Sequence, residues 1–168
     1  MEEPTKVCIY ARVSTSQQDF THQLTSLRAY AREHHYQVVK EYTEKISGAK
    51  KVAEREALKE LLEDVEQNQV KKILVFECSR LSRRALDFLS IIEKLNEKGV
   101  SVFILQNGLE TLLPDGKVNP IASLVLGIMS QFNSMERDLI RARMKNGYDN
   151  LRAQHPGEKV VGRKIGYR

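Results

Sequence analysis

The chain has no tryptophan, only two cysteines and four prolines in 168 residues, and no apolar run long enough to cross a bilayer. Its opening stretch, MEEPTKV, carries two acids and no hydrophobic segment of signal-peptide length behind it, so the reading is of a cytoplasmic protein. Two cysteines cannot build a disulfide framework. Cys8 and Cys78 both lie in strand-like apolar runs and read as buried free thiols of a reducing compartment. No Cys/His spacing suggests zinc, and among the four histidines His34 and His35 are adjacent and cannot share a helix face. Glycine-rich phosphate loops with their lysine are missing too, as are internal repeats and low-complexity segments.

What remains is ordinary for one globular domain: 41% apolar residues and 29% charged. The net charge of +5 is unevenly placed. From Glu136 onward there are nine Lys/Arg against four acids, which leaves 18 of each sign in the first 135 residues. A neutral body with a basic end is the asymmetry of a domain that reaches for a polyanion, although cations also favour helix C-termini for electrostatic reasons.

Hydrophobic periodicity alternates between two and 3.6 residues along the first two thirds. Strands are expected at 6–10 (KVCIY), 37–44, 71–77 (KKILVFE) and 100–106. Helices are expected between them: about 17–34 with Leu24, Leu27 and Ala31; about 54–66; and 83–98 with Leu86, Leu89, Ile92 and Leu95 on one face, stopped by Gly99. The segment KISGAKKVAE reads as a mobile loop. This pattern specifies an α/β domain with a mostly parallel central sheet flanked by helices over residues 1–118. Asn119-Pro120 then opens a long helix, 119–155, as cap and first helical residue. Ile121, Val125, Ile128, Phe132, Met135 and Leu139 recur at 4-3-4-3-4 spacing, a narrow seam suited to the body or to a partner subunit. Thirty residues span about 45 Å, so the second half, with Arg137, Arg141, Arg143 and Lys145, should protrude. Residues 156–168, which include Arg163 and Lys164, read as a basic linker.

Three arginine-bearing elements invite chemistry. Arg12-Val-Ser14 follows the first strand, Ser79-Arg80-Leu-Ser-Arg83 follows KKILVFE, and Arg55 follows the loop. Ligand sites of open parallel sheets lie beyond the carboxyl ends of strands, so Arg12, Ser14, Arg80 and Arg83 converge if those two strands are neighbours. Guanidinium forks around a serine suit displacement at a phosphodiester, where charge builds on the non-bridging oxygens. No histidine is placed for an acyl-transfer triad, and three residues between Cys8 and Arg12 are too few for a cysteine phosphatase loop. On local sequence alone, capping of the next helix by Ser14 or Thr15 is the plainer reading, and Arg55 is a solvated charge.

The motif Tyr10-Ala-Arg12-Val-Ser14-Thr-Ser-Gln17-Gln18, with Gln23 and Leu24-x-x-Leu27 behind it, resembles the opening motif of serine recombinases of the resolvase/invertase family. Ile46-Ser47-Gly48, Arg55 with Leu58, Ser79-Arg80-Leu81-Ser82-Arg83, and Gln131 to Arg141 match that family in order, so the resemblance covers nearly the whole chain. It implies that Ser14 attacks a DNA phosphate, forms a 5′-phosphoserine link and frees a 3′-hydroxyl. Arg12, Arg80 and Arg83 would bind the phosphate, with Arg55 and Gln23 assisting and with neither metal nor nucleotide cofactor. It further implies dimers and tetramers on double-stranded DNA at a specific site, the long helix as dimer interface, its basic end across the minor groove, and nucleoid association when bound. Two departures stand out. Many relatives carry aspartate where this chain has Ser79, which leaves the proton acceptor for Ser14 unassigned. Small members also continue into a helix-turn-helix, whereas this sequence ends at GRKIGYR. Two other readings remain: a non-catalytic DNA-binding or assembly module with the same fold, and a metal-free hydrolase of small phosphoesters.

Overall fold

A computed structural model describes residues 3–14, 20–46 and 54–154. Its elements run β1 (Lys6–Val13), α1 (Thr21–Glu33), β2 (Gln37–Lys45), α2 (Glu56–Gln67), β3 (Lys72–Val75), α3 (Cys78–Leu81), α4 (Ala85–Glu97), β4 (Ser101–Ile104), β5 (Leu109–Glu110) and α5 (Pro120–Gln154). The sheet order is β2-β1-β3-β4-β5, with all pairs parallel except β4 and β5. This is the mostly parallel, helix-flanked architecture that the alternating periodicity specifies. The expected helix start at Gln17 and the loop at 47–53 lie outside the described residues.

β1 is hydrogen-bonded on both sides and almost wholly buried. Because successive strand side chains point to opposite faces, Val7, Ile9 and Ala11 pack with Leu24, Leu27 and Ala31 of α1. Cys8 and Tyr10 pack on the other face with α2, α4 and the start of α5. Arg12 continues the parity of Cys8 and Tyr10, so it enters the same side of the sheet as α2.

Helix ends follow local chemistry. Gly99 takes a left-handed φ of 67°, and the N–H groups of Gly99 and Val100 close on the carbonyls of Asn96 and Leu95, each at 2.9 Å. Asn119 Oδ1 accepts from the N–H groups of Ile121 at 3.1 Å and Ala122 at 3.2 Å, the expected cap ahead of Pro120.

Four details depart from the sequence reading. The two-residue strand β5 is too short to leave a periodicity. Cys78 does not continue β3 but opens the one-turn helix α3, although both cysteines are buried free thiols and burial raises each to about 11. In α4 the sheet-facing stripe is Phe88, Ile91, Ile92 and Leu95, while Leu86 lies off it and is 76% exposed. In α5 the body is met by Ala122 and Leu126, with Met129 beside them, and not by the seam: Ile121, Ile128, Phe132, Met135 and Leu139 all face outward. The neighbouring register, one residue on, wins because Ala122 lets the helix approach α4 closely.

The α4 assignment has a direct test in urea unfolding. Phe88→Ala should cost about 3–5 kcal/mol, since a fully buried ring is lost, and Leu86→Ala less than about 0.5 kcal/mol. Equal losses would contradict the assignment of faces.

Candidate functional site

β1 and β3 are adjacent, and strand order reverses between them: the chain moves from β1 to β2 on one side and returns to β3 on the other. The crevice beyond their carboxyl ends is the switch point of the sheet. Ser14 sits half-buried just past β1, and α3 just past β3. The two arginine-bearing strand ends therefore do converge.

α3 is a single turn, so its last carbonyls have no partner within the helix. Two fully buried guanidinium groups supply the donors. Arg12 donates through Nη2 to the carbonyl of Ser79 at 2.8 Å, through Nε to that of Arg80 at 3.0 Å, and through Nη1 to that of Ile46 at 2.6 Å. Arg55 donates through Nη2 to the Arg80 carbonyl at 2.8 Å and through Nη1 to that of Leu81. Its Nε meets Glu44 Oε1 at 2.8 Å, and Tyr10 joins both, accepting from Arg55 and donating to Glu44. The register of β1 against β2 sets Arg12 beside Glu44 and Tyr10 beside Tyr42, which is how a carboxylate comes to lie in this buried layer.

Gln23, on the first turn of α1, grips the peptide of Arg12. Its Nε2 donates to the Arg12 carbonyl at 3.2 Å, and its Oε1 accepts from the Arg12 N–H at 3.4 Å. The same carbonyl accepts from Arg80 Nη1 at 3.0 Å. Thus the backbone two residues before Ser14 is held from both sides.

Arg80 and Arg83 differ from the buried pair. Both are half-buried and keep a route to solvent. Arg80 Nη2 pairs with Glu77 Oε1 at 2.6 Å, and its buried Nε has no partner among the described residues. Arg83 lies in the Ser82–Arg84 link between α3 and α4. Neither therefore lies in the first turn of α4, where a cation would oppose the helix dipole. Burial first, then repulsion from Arg55, Arg83 and Arg80, pulls Arg12 down to about 10, which still leaves it charged near neutrality. Four guanidinium groups thus share one neighbourhood, and among the described residues Glu44 pairs with Arg55 and Glu77 with Arg80.

Of the residues singled out in the sequence, Arg12, Ser14, Gln23, Arg55, Arg80 and Arg83 gather at this end of the sheet. Arg141, Arg143 and Lys145 are exposed on the outer half of α5. The side chain of Arg137 and residues Thr15 to Gln18, Ser47, Gly48, Arg163 and Lys164 lie outside the described residues. Sequence reasoning missed Glu44, Tyr10 and Glu77. For the first two the strand parity was the available signal, since Tyr10 and Glu44 occupy the α2-facing positions of β1 and β2. A cleft of about 530 Å³ between α4, α5 and Thr111 is separate from the arginines and carries the carboxylates Glu93 and Glu97. Among the described residues no group of three His, Cys, Asp or Glu side chains is placed to hold a metal, and no helix is long and apolar enough to cross a membrane.

Residues 7–155 match the family described as Resolvase, N terminal domain. The chain belongs to the resolvase family. A resolvase from Clostridium perfringens is 34% identical over 86% of this chain and 71% of its own length. Among solved structures, the N-terminal catalytic domain of TP901-1 integrase superposes with a TM-score of 0.63 at 32% identity, covering 80% of this chain and 98% of that one. A resolvase family site-specific recombinase from Streptococcus pneumoniae gives 0.59 at 27% identity, covering 87% and 97%. The chain is thus a serine recombinase catalytic domain, and the fold-level match includes the sheet whose switch point holds Ser14.

In this recombinase domain the buried guanidinium layer should be structural in the strict thermodynamic sense. Arg55→Ala leaves the buried Glu44 without its cationic partner and the Leu81 carbonyl without the Arg55 donor, so urea unfolding should show a loss of about 3–5 kcal/mol. Arg83→Ala removes a half-buried side chain and should change stability by less than about 0.5 kcal/mol. A mild Arg55→Ala effect would contradict this division.

Proposed function

We propose that this domain breaks and rejoins DNA by attack of Ser14 on a phosphodiester. The Ser14 Oγ–P bond forms as the bond from phosphorus to the 3′-oxygen breaks, leaving a 5′-phosphoserine and a 3′-hydroxyl. The serine proton is lost and the departing 3′-oxygen gains one, so atoms and charge balance. Rejoining runs the same step backwards with a new 3′-hydroxyl. The phosphodiester's energy is retained in the phosphoserine, so the cycle draws on no nucleotide hydrolysis and calls for no metal or other cofactor.

The observation that carries this reading is that Ser14 follows β1 at the sheet's switch point, the end of the sheet at which Arg12 shares its surroundings with Arg55, Arg80 and Arg83. Charge that develops on the non-bridging oxygens needs preorganised donors. Arg80 and Arg83, which keep access to solvent, are assigned to the phosphate. Arg12 and Arg55 stand behind them: they add positive potential and hold α3, while Gln23 and Arg12 fix the approach to Ser14. A small-molecule phosphoesterase finds less support, because it gives no role to the basic outer half of α5.

The outward seam of α5, from Ile121 to Leu139, is assigned to self-association as dimer and tetramer. Arg141, Arg143 and Lys145, with Arg137, Arg163 and Lys164 by sequence, are assigned to double-stranded DNA at a recombination site. Contacts of this kind position the duplex without reading its sequence.

The test is incubation of the protein with a supercoiled plasmid carrying the DNA that flanks its own coding sequence, followed by denaturing electrophoresis. Wild type should give an SDS-resistant protein–DNA adduct, and Ser14→Ala none. Arg83→Ala should slow adduct formation by about 10²- to 10³-fold while DNA retention persists. An adduct that survives Ser14→Ala would overturn the assignment. Intact DNA retention with no strand breakage by wild type would favour the non-catalytic module.

A further inference from the structure

The motif after β3 places a serine at position 79, which at neutral pH supplies no negative charge. The structure brings a carboxylate to that place from two residues earlier. Glu77 precedes α3 with an extended backbone, φ −147° and ψ 159°, which turns its side chain along the first turn of the helix. Its Oε1 accepts a hydrogen bond from Ser79 Oγ and pairs with Arg80 Nη2 at 2.6 Å. A single carboxylate oxygen therefore holds both neighbours.

We propose that Glu77 is a positioning residue of the cleavage site, fixing the Arg80 guanidinium for the phosphate. This rests on the assignment of Arg80 to the phosphate made above. Among the described residues Arg80 has two anchors: Glu77 at Nη2 and the Arg12 carbonyl at Nη1, 3.0 Å away. Arg12 shares its neighbourhood and repels it. Glu44 is already engaged by Arg55 and Tyr10, so among the described residues Glu77 is the carboxylate in contact with Arg80 that offsets that repulsion. Without it, the carbonyl of Arg12 would be the one anchor left to Arg80 among the described residues. The ion pair with Glu77 is the stronger of the two anchors, since both of its partners are charged, and its loss frees the fork to rotate. Ser79 in turn donates to Glu77, which orients the carboxylate and satisfies the hydroxyl.

The same geometry says what exchange of residues is tolerated. Because Ser79 Oγ already touches Glu77 Oε1, an aspartate at 79 would set its own carboxylate in nearly the same spot. The charge can then be moved from one position to the other.

The experiment compares wild type, Ser14→Ala, Glu77→Gln and the double variant Glu77→Gln/Ser79→Asp for the rate of adduct formation on the plasmid described above, together with melting temperature. Glu77→Gln should slow the reaction by about 10- to 100-fold with the melting temperature little changed, and the double variant should recover most of the rate. A wild-type rate for Glu77→Gln overturns the proposal. So does a slow double variant that is folded, since a relocated charge should rescue a positioning role. If wild type itself forms no adduct, the Ser14 reading fails, and Glu77 is judged by a second measurement. Hydrogen exchange at the Arg80 side-chain Nε–H, followed by nitrogen-15 NMR, should accelerate in Glu77→Gln and slow again in the double variant; exchange unchanged by Glu77→Gln overturns the proposal.

Discussion

Two arginines placed inside the protein, donating to the carbonyls that end a one-turn helix, are the constraint on which the rest of this structure depends. An isolated cation in a low-dielectric interior is costly, and it is tolerated only when its donors are satisfied and its charge is answered. Arg12 and Arg55 satisfy their donors with the carbonyls of Ser79, Arg80 and Leu81, and Glu44 answers the charge of Arg55. The one-turn helix has no other use for those carbonyls. Each side solves the other's problem, so the end of β1, the start of α2 and the whole of α3 are locked in one network. Folding this layer and assembling the site are the same event.

That arrangement divides four like charges by depth. The buried pair cannot reorient without breaking several hydrogen bonds, so its positive potential is fixed before any substrate arrives. The half-buried pair, Arg80 and Arg83, can meet an anion without first being desolvated from bulk water. This is preorganisation in the sense that matters for phosphoryl transfer: the field is built by folding and not by the substrate. The position is dictated by topology, since only at the reversal between β1 and β3 do two strand ends open beside each other without a crossover helix between them.

Much of this was legible in the sequence, for identifiable reasons. Buried parallel strands leave continuous apolar runs, so KVCIY and KKILVFE located β1 and β3, and their arginines followed. Gly99 and Asn119 announced helix ends because their chemistry is local. The depth of Arg12 was in principle readable from its parity with Cys8 and Tyr10, but an arginine at a strand end reads as exposed unless its acceptors are known, and those acceptors are backbone carbonyls, which carry no residue identity. Glu44 was hidden for a related reason: parity gives its face, but its place beside Arg12 depends on strand register, and Glu77 depends on the turn of α3, which leaves no period. The α5 seam shows the opposite case. Its spacing was real, yet spacing cannot say which of two adjacent stripes meets the body. Ala122 and Leu126 do, and the wider stripe is left facing outward.

The central claim is that Ser14 is the atom-level point of attachment to DNA. The measurement that tests it most directly is protease digestion of the trapped adduct and mass spectrometry of the nucleotide-bearing peptide, with end-labelling of the released strand. The account predicts a 5′-phosphate-linked nucleotide on Ser14 and a free 3′-hydroxyl on the other fragment. A nucleotide on any other residue, or a link through a 3′-phosphate, would contradict it.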